Sequence, residues 1–574
     1  MKLIIKQYLS SLKERSELDV ILPSLLSQMG LNVFARPIRG TNEYGVDIAA
    51  VGKINQDKEC VYLFSVKSGN LTRSTWHSGA TDQTLRPSLE SILDSYIPHR
   101  LPPEHKNKPV VICLCFGGDI QTNVRQEVTG FTNKYTTDNI SFEEWNGDKL
   151  SDLITEYLLN EDLLPKNWQS LLRKSIALLD EPTSSHQNFR KLVLEISKTI
   201  GEDDKSQVRF INTINICLWI LYSWCRDENN IESAYISAES AILYVWDAIN
   251  KNFTLKQKNS FDELISTYQK ISEEYVQKCI LPFCKNLHAI SRAINTRCSI
   301  DLNIKLFDIL GRVAIHAEWL LYRLQKSHIE FPPSEGENQE QLEIRNQIER
   351  ISKTIQELVS NNPLLLSPYK DDQAIDISLA AHILLQNSNN DVFLQDWIKN
   401  LADRIMFAYK AHIPSIYMHT TTLRNYEEIL EYKNDDNHEL LREKYTQGSI
   451  LYPALMILAE TLKNSELKAD LVEFCTENLK HCTLQYWFPN HTSESYYYNN
   501  KEIHGSAFSE ITETQYFSIP DILVECKSSS IDNLSAIKYG YAPLLLVASR
   551  HYRYPVPLHF FTAIIEDSLD TNKL

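Results

Sequence analysis

Two short runs carry residue types that could do chemistry together. Tyr44-Gly45-Val46-Asp47-Ile48-Ala49-Ala50 places one acid inside an apolar, β-prone stretch, and Val61-Tyr62-Leu63-Phe64-Ser65-Val66-Lys67 places a lysine two residues after a hydroxyl on another. Side chains alternate across a strand, so Val61, Leu63, Ser65 and Lys67 share one face and Tyr62, Phe64 and Val66 the other. A charge ending a buried strand needs a partner, because an isolated buried charge is costly. Asp47 on a neighbouring strand is the obvious one. An acid and a lysine at adjacent strand ends could bind a divalent cation and activate water; taken alone, the same pair is more simply a structural ion pair.

The elements that must position this pair follow from the patterning around it. Residues 3–29 read as a helix, with Leu18, Ile21, Leu22, Leu25, Leu26 and Met29 at helical spacing and Gly30 as its stop. Leu31 to Ile38 reads as a strand, and 46–51 and 60–67 as two more joined by a polar turn. Residues 81–97 predict a second helix, with Leu85, Leu89, Ile92 and Leu93 on one side, and 98–108 a loop. The continuous apolar run Val110 to Phe116 predicts a strand buried on both faces. Gly117-Gly118 ends it, and Asp119 is placed to cap a helix over about 120–134. Ile140 to Trp145 reads as a further strand, and Asn146-Gly147 turns into a helix at 148–159. The order α-β-β-β-α-β-α-β-α predicts an α/β domain, a mixed sheet with helices on both faces.

After Leu164-Pro165 the pattern changes to amphipathic helical runs, such as 189–200, 210–224, 234–249 and 304–324. Phe331 to Glu337, rich in proline and acid, reads as a linker. Helical patterning then resumes near 339, with a polar break at 433–437, and no fixed repeat period emerges. The expected organisation is an α/β domain over 1–165 followed by a large all-α region, divided into 166–330 and 338–574. At 574 residues, with 43% hydrophobic and 23% charged residues, this is the composition of a globular protein with roughly three or four domains. The net charge of −16 excludes an overall basic nucleic-acid binder and a partner of anionic membranes, but not a local basic groove. No apolar run reaches the roughly 18 residues of a membrane span. Eleven scattered cysteines without a CxxC pair read as reduced core thiols in a cytoplasmic protein.

The first 160 residues resemble the PD-(D/E)XK nuclease superfamily, specifically its Mrr-like and Holliday-junction-resolvase-like branches. The match lies in a helix with acids, Gly45-Val46-Asp47-Ile48 on the second strand, and Ser65-Val66-Lys67 at the end of the third. The buried strand 110–116, a helix, and Glu143-Glu144-Trp145-Asn146-Gly147-Asp148-Lys149-Leu150 leading into a helix complete it. This covers just over a quarter of the chain. The resemblance implies a restriction-endonuclease-like fold that cleaves DNA with Mg²⁺ or Mn²⁺. Asp47 and the Val66 carbonyl would hold the metal, and Lys67 would orient or deprotonate water and balance phosphate charge. An acid of the first helix would complete the site, Glu17 or Asp19. Arg36, Arg39, Arg73 and Arg86 lie around the site, as phosphate contacts would need to.

Ser65 departs from that pattern, which has Glu or Gln there. A serine hydroxyl is a short, neutral and weak metal ligand. Either an acid from elsewhere compensates, Glu43 among the candidates, or the domain has lost catalysis. The expected function is a metal-dependent DNA endonuclease, a regulated effector of bacterial anti-phage defence whose helical region senses a trigger or holds a homo-oligomer. The alternative is an inactive nuclease-like module that binds nucleic acid or protein. Trp76 and His77 could stack on a base, though a packing tryptophan is the simpler reading. Cys279, Cys284, His288 and Cys298 lack zinc-site spacing. Gly117-Gly118-Asp119 lacks the partners of a phosphate loop and reads better as helix entry.

Overall fold

The computed structural model describes the chain apart from residues 1–5, 7–8, 11–17, 37–43, 55–57, 78–83, 159–165, 199, 202, 295, 297, 331–337, 412–442, 444–445, 491, 500–505, 509–518, 530 and 571–574. The expected linker at 331–337, the polar break at 433–437, and Glu17, Arg39 and Glu43 lie outside the described residues. The chain divides into two compact units, residues 1–241 with 253–267, and residues 242–252 with 268–574.

The first unit opens on a mixed five-stranded sheet in the order β1-β2-β3-β4-β5. The elements of this α/β part are α1 (Asp19–Gln28), β1 (Asn32–Ala35), β2 (Ile48–Gly52), β3 (Cys60–Lys67), α2 (Arg73–Trp76), α3 (Leu85–Ser91), β4 (Val110–Phe116), α4 (Thr122–Tyr135), β5 (Ile140–Trp145) and α5 (Gly147–Leu153), and the unit continues into the helices Lys166–Ala177, Pro182–Ser197 and Asp204–Asp227. The first three strands pair antiparallel, and β3, β4 and β5 pair parallel. Every residue of β3 and β4 is buried, as a strand covered on both faces requires. One face carries Leu63, Ile112, Leu114 and Phe116 against Trp76, Leu85, Leu89, Val124 and Val128 of the helices. On the other face Phe64 meets Trp145 edge-on at 4.9 Å. The expected α/β domain is therefore observed.

Three local differences have physical causes. The short helix α2 was not expected; Thr72 and Thr75 form a reciprocal capping box that starts it. The helix expected to end at 97 runs through Pro98 to Arg100, wound over 92–100 as a π-helix. Asp119 does not cap α4. Gln121 stands at the N-cap, and the Asp119 carboxylate pairs instead with Lys6 at 3.2 Å.

Among its described residues the second unit is helical, with two small exceptions, the strand pairs 448–449 with 483–484 and 486–488 with 506–508. Its long helices are α6 (Ser299–Glu330), α7 (Gln339–Asn361), α8 (Ala374–Leu384), α9 (Asp391–Lys410), α10 (Leu451–Thr461) and α11 (Pro543–Tyr552). Among the described residues, no helix is long and apolar enough to cross a membrane. The core of this unit holds charge. Asp308 receives Arg312 and Arg550 at 2.5 Å each, and Asp376, 1% exposed, receives Arg553 at 2.8 Å. Gly311 of α6 makes room for this cluster, since a Cβ there would fall on an Asp376 carboxylate oxygen.

Asp371 sits at the start of α10. Its carboxylate accepts the Ile450 N–H at 2.8 Å and the Leu451 N–H at 3.3 Å, together with the Ser449 hydroxyl. Burial nevertheless outweighs these hydrogen bonds and pushes its pKa up from 3.8 to about 7. The folded state thus keeps a proton that the unfolded chain has already released between these values, so this group's contribution to stability falls as pH rises from about 4 to about 7. Thermal unfolding of wild type and Asp371→Asn across that window is expected to show a steeper loss with rising pH in the wild type. Parallel curves would refute the assignment.

Candidate active site at the ends of β2 and β3

The site is built from a strand end that runs out of partners. The β2–β3 ladder finishes at the Ile48–Phe64 pair, and Asp47 is the residue just beyond it. The Asp47 N–H donates to the Phe64 carbonyl at 2.9 Å, and the Asp47 Oδ2 accepts the Val66 N–H at 2.7 Å. A side-chain carboxylate thus continues the ladder where the β2 backbone stops. Gly45 (φ 81°) makes the approach possible. A Cβ there would fall on the Ser88 carbonyl of α3, so only glycine lets the chain turn beneath that helix before Asp47.

Backbone alternation fixes the rest. The Val61 N–H turns toward β4, donating to the Pro109 carbonyl, and the Phe64 carbonyl turns toward β2. Val66 shares the Phe64 orientation, so its N–H and C=O both face the edge where Asp47 lies. Ser65 and Lys67 share the face of Leu63, and Asp47 continues the alternation of Ala49 and Val51 on that face. Ser65 is fully buried, and its Oγ has no hydrogen-bond partner among the described residues. Lys67 is 8% exposed. Cys115, opposite Val66 on β4, is a neutral thiol, pushed up by burial and further by the Asp47 charge.

Asp47, Ser65, Val66 and Lys67 are therefore brought together at one strand end. Asp19 opens α1, which packs beside β1 and β2. The arginines are engaged: Arg36 with Glu263 at 3.8 Å, Arg73 with Glu127 at 3.8 Å, and Arg86 with Glu90 at 3.1 Å. Trp76 is a core residue, edge-on to Phe131 at 5.7 Å and fully buried, and His77 pairs with Glu127. Gly117 is pressed against the backbone of Leu9, so the chain's own N-terminal segment fills that turn. Lys6, from the same segment, bridges Asp119 and Asp148 at 3.2 and 2.8 Å, and the hydrogen bond to Asp148 is the main reason its pKa is raised. The Cys284 thiol donates to Glu357 at 3.1 Å, and none of the eleven cysteines forms a disulfide.

The donors at the strand end, an Asp47 carboxylate, the Val66 carbonyl and the orphaned Ser65 hydroxyl, are hard oxygens of the kind Mg²⁺ and Mn²⁺ take. They fit such an ion in kind, and they supply one negative charge. Among the described residues no group of three or more histidine, cysteine, aspartate or glutamate side chains is gathered as a metal cluster.

Sequence reasoning missed the buried charges of the second unit. Besides the Asp308 and Asp376 clusters, Glu318 and His382 pair at 2.7 Å, both almost fully buried. Burial alone would lower the His382 pKa, but the Glu318 charge and hydrogen bond raise it. The available signal was an acid or base interrupting an otherwise apolar helical run, as Asp376 does in Ala374–Leu384. Compared with family models, curated proteins and solved structures, the chain matches none.

Removing the Asp47 acceptor strands a buried N–H, so Asp47→Ala is expected to cost about 1–3 kcal/mol in urea unfolding. Asp47→Asn, which keeps an oxygen acceptor, is expected to cost less. Ser65→Ala removes an orphaned hydroxyl and is expected to leave stability unchanged or raise it by up to about 1 kcal/mol; a clear loss would mean that the hydroxyl is partnered in solution.

Proposed function

We propose that the first unit is a metal-dependent endonuclease acting on DNA. The observation that carries this reading is the Asp47–Val66 hydrogen bond. It ties a carboxylate to the end of a buried central strand, with a backbone carbonyl on the same edge and a nearly buried lysine one residue on. Asp47 and the Val66 carbonyl would hold Mg²⁺ or Mn²⁺, with Glu17 or Asp19 as the further acid. A bound ion there would lower the pKa of water and offset phosphate charge. Lys67 contributes an ammonium whose donors can hold the attacking water and a phosphate oxygen. The buried strand end restricts its freedom, so little reorganisation is needed at the moment of reaction. The Ser65 hydroxyl can donate one hydrogen bond to an oxygen at the site, but it cannot replace a carboxylate's charge. The large helical part of the chain supports a regulated enzyme, an anti-phage effector held inactive until triggered or assembled into a homo-oligomer.

A binding module without cleavage is the second reading, and the single negative charge among the described donors favours it. The two separate in one assay. Plasmid DNA is incubated with purified protein and Mg²⁺ or Mn²⁺, beside Asp47→Asn and Lys67→Met. The nuclease reading expects cleavage by the wild type and a fall of about 100-fold or more in each variant. Cleavage untouched by both substitutions sinks the site. DNA retention in a mobility-shift assay, without cleavage under either metal, supports the binding module.

A further inference from the structure

The second unit holds a cavity of about 530 Å³ whose ionisable lining is all of one sign. Arg292, Arg404 and His288 line it, and none of the described lining residues is acidic, in a chain of net charge −16. The contrast within the same unit is sharp. Arg312, Arg550 and Arg553 are each held by an aspartate. Arg292 and Arg404 have no carboxylate partner among the described residues. Arg404 is half-buried and donates from Nη1 to the Ser367 hydroxyl at 3.3 Å, a neutral partner that fixes the guanidinium without cancelling its charge. His288 adopts a left-handed backbone (φ 60°), uncommon for a residue with a side chain, and its N–H donates to the Asn361 carbonyl at 2.8 Å. His288 is exposed and is among the residues that line the cavity. Leu302, Pro363 and Leu364 supply an apolar wall.

We propose that this cavity binds a small phosphorylated organic molecule. Two permanent positive charges and an imidazole match a phosphate dianion better than a single carboxylate. The guanidinium fork suits phosphate oxygens. The volume lies within the range of about 300–1,000 Å³ typical of small-molecule pockets and is far larger than an inorganic ion needs. The apolar wall gives the organic body a surface to cover. This inference stands independently of the nuclease reading of the first unit, since it uses only residues of the second.

The test uses the full chain, with thermal-shift and calorimetric titrations of AMP, inorganic phosphate, adenosine and benzoate. AMP is expected to raise Tm most, inorganic phosphate less, and adenosine and benzoate not at all. Arg292→Ala and Arg404→Ala are each expected to weaken AMP at least about tenfold, the effect of losing one charge-assisted hydrogen bond. Arg292 is exposed and makes no ion pair among the described residues, so its variant keeps the fold even if Arg404→Ala does not. The proposal is overturned if neither AMP nor inorganic phosphate binds at millimolar concentration. It is equally overturned if both variants bind AMP like the wild type, or if benzoate binds as well as AMP.

Discussion

The Asp47 carboxylate does the work of a missing backbone residue, and the candidate site depends on that substitution. β3 is the strand on which the sheet changes from antiparallel to parallel pairing, and all of its residues are buried. A buried strand that outlasts its neighbour leaves N–H groups without partners, a cost of the same order as a lost hydrogen bond. Asp47 meets one of these demands at Val66. The demand is structural, yet meeting it places a carboxylate beside a carbonyl, a hydroxyl and an ammonium. Stability and candidate chemistry thus rest on the same bond.

The second unit handles buried charge differently. Aspartates and arginines pair around Gly311, Asp308 with Arg312 and Arg550 and Asp376 with Arg553, joining α6, α8 and α11. Such clusters add little net stability compared with apolar packing, but breaking one leaves an uncompensated charge and is strongly destabilising. They therefore restrict which helices can lie together. Against those paired charges, a cavity lined by arginines that have no carboxylate partner among the described residues stands out as surface kept for something else.

The sheet was largely legible because its signals are local. The unbroken apolar run at 110–116 and the mixed stretch at 140–145, where Ile140, Phe142 and Trp145 are interspersed with Ser141, Glu143 and Glu144, are strands with those bounds, and the alternation in 61–67 put Ser65 and Lys67 on one face. The expected α/β domain followed from element order. What could not be read depends on distant residues. Nothing in the sequence near Asp47 says that its carboxylate meets Val66, nor that Leu9 presses on Gly117 or that Asp119 is taken by Lys6. Of the arginines expected to face phosphate, Arg36 and Arg73 have acidic partners, Glu263 and Glu127, that only folding brings near, whereas Arg86 pairs with Glu90 four residues on in its own helix. Buried ion pairs escaped for a related reason: an acid within an apolar run, as Asp376 in Ala374–Leu384, marks one half of a pair without naming its counterpart.

The cysteines give the molecule an internal clock. Nine of the eleven are buried, none is bridged, and they are spread through both units, Cys60, Cys113, Cys115, Cys217 and Cys225 in the first and Cys284, Cys475, Cys482 and Cys526 in the second. A buried neutral thiol meets an alkylating reagent only when its surroundings open. The order in which these positions become modified therefore records which unit breathes first, without a label having to be introduced into either.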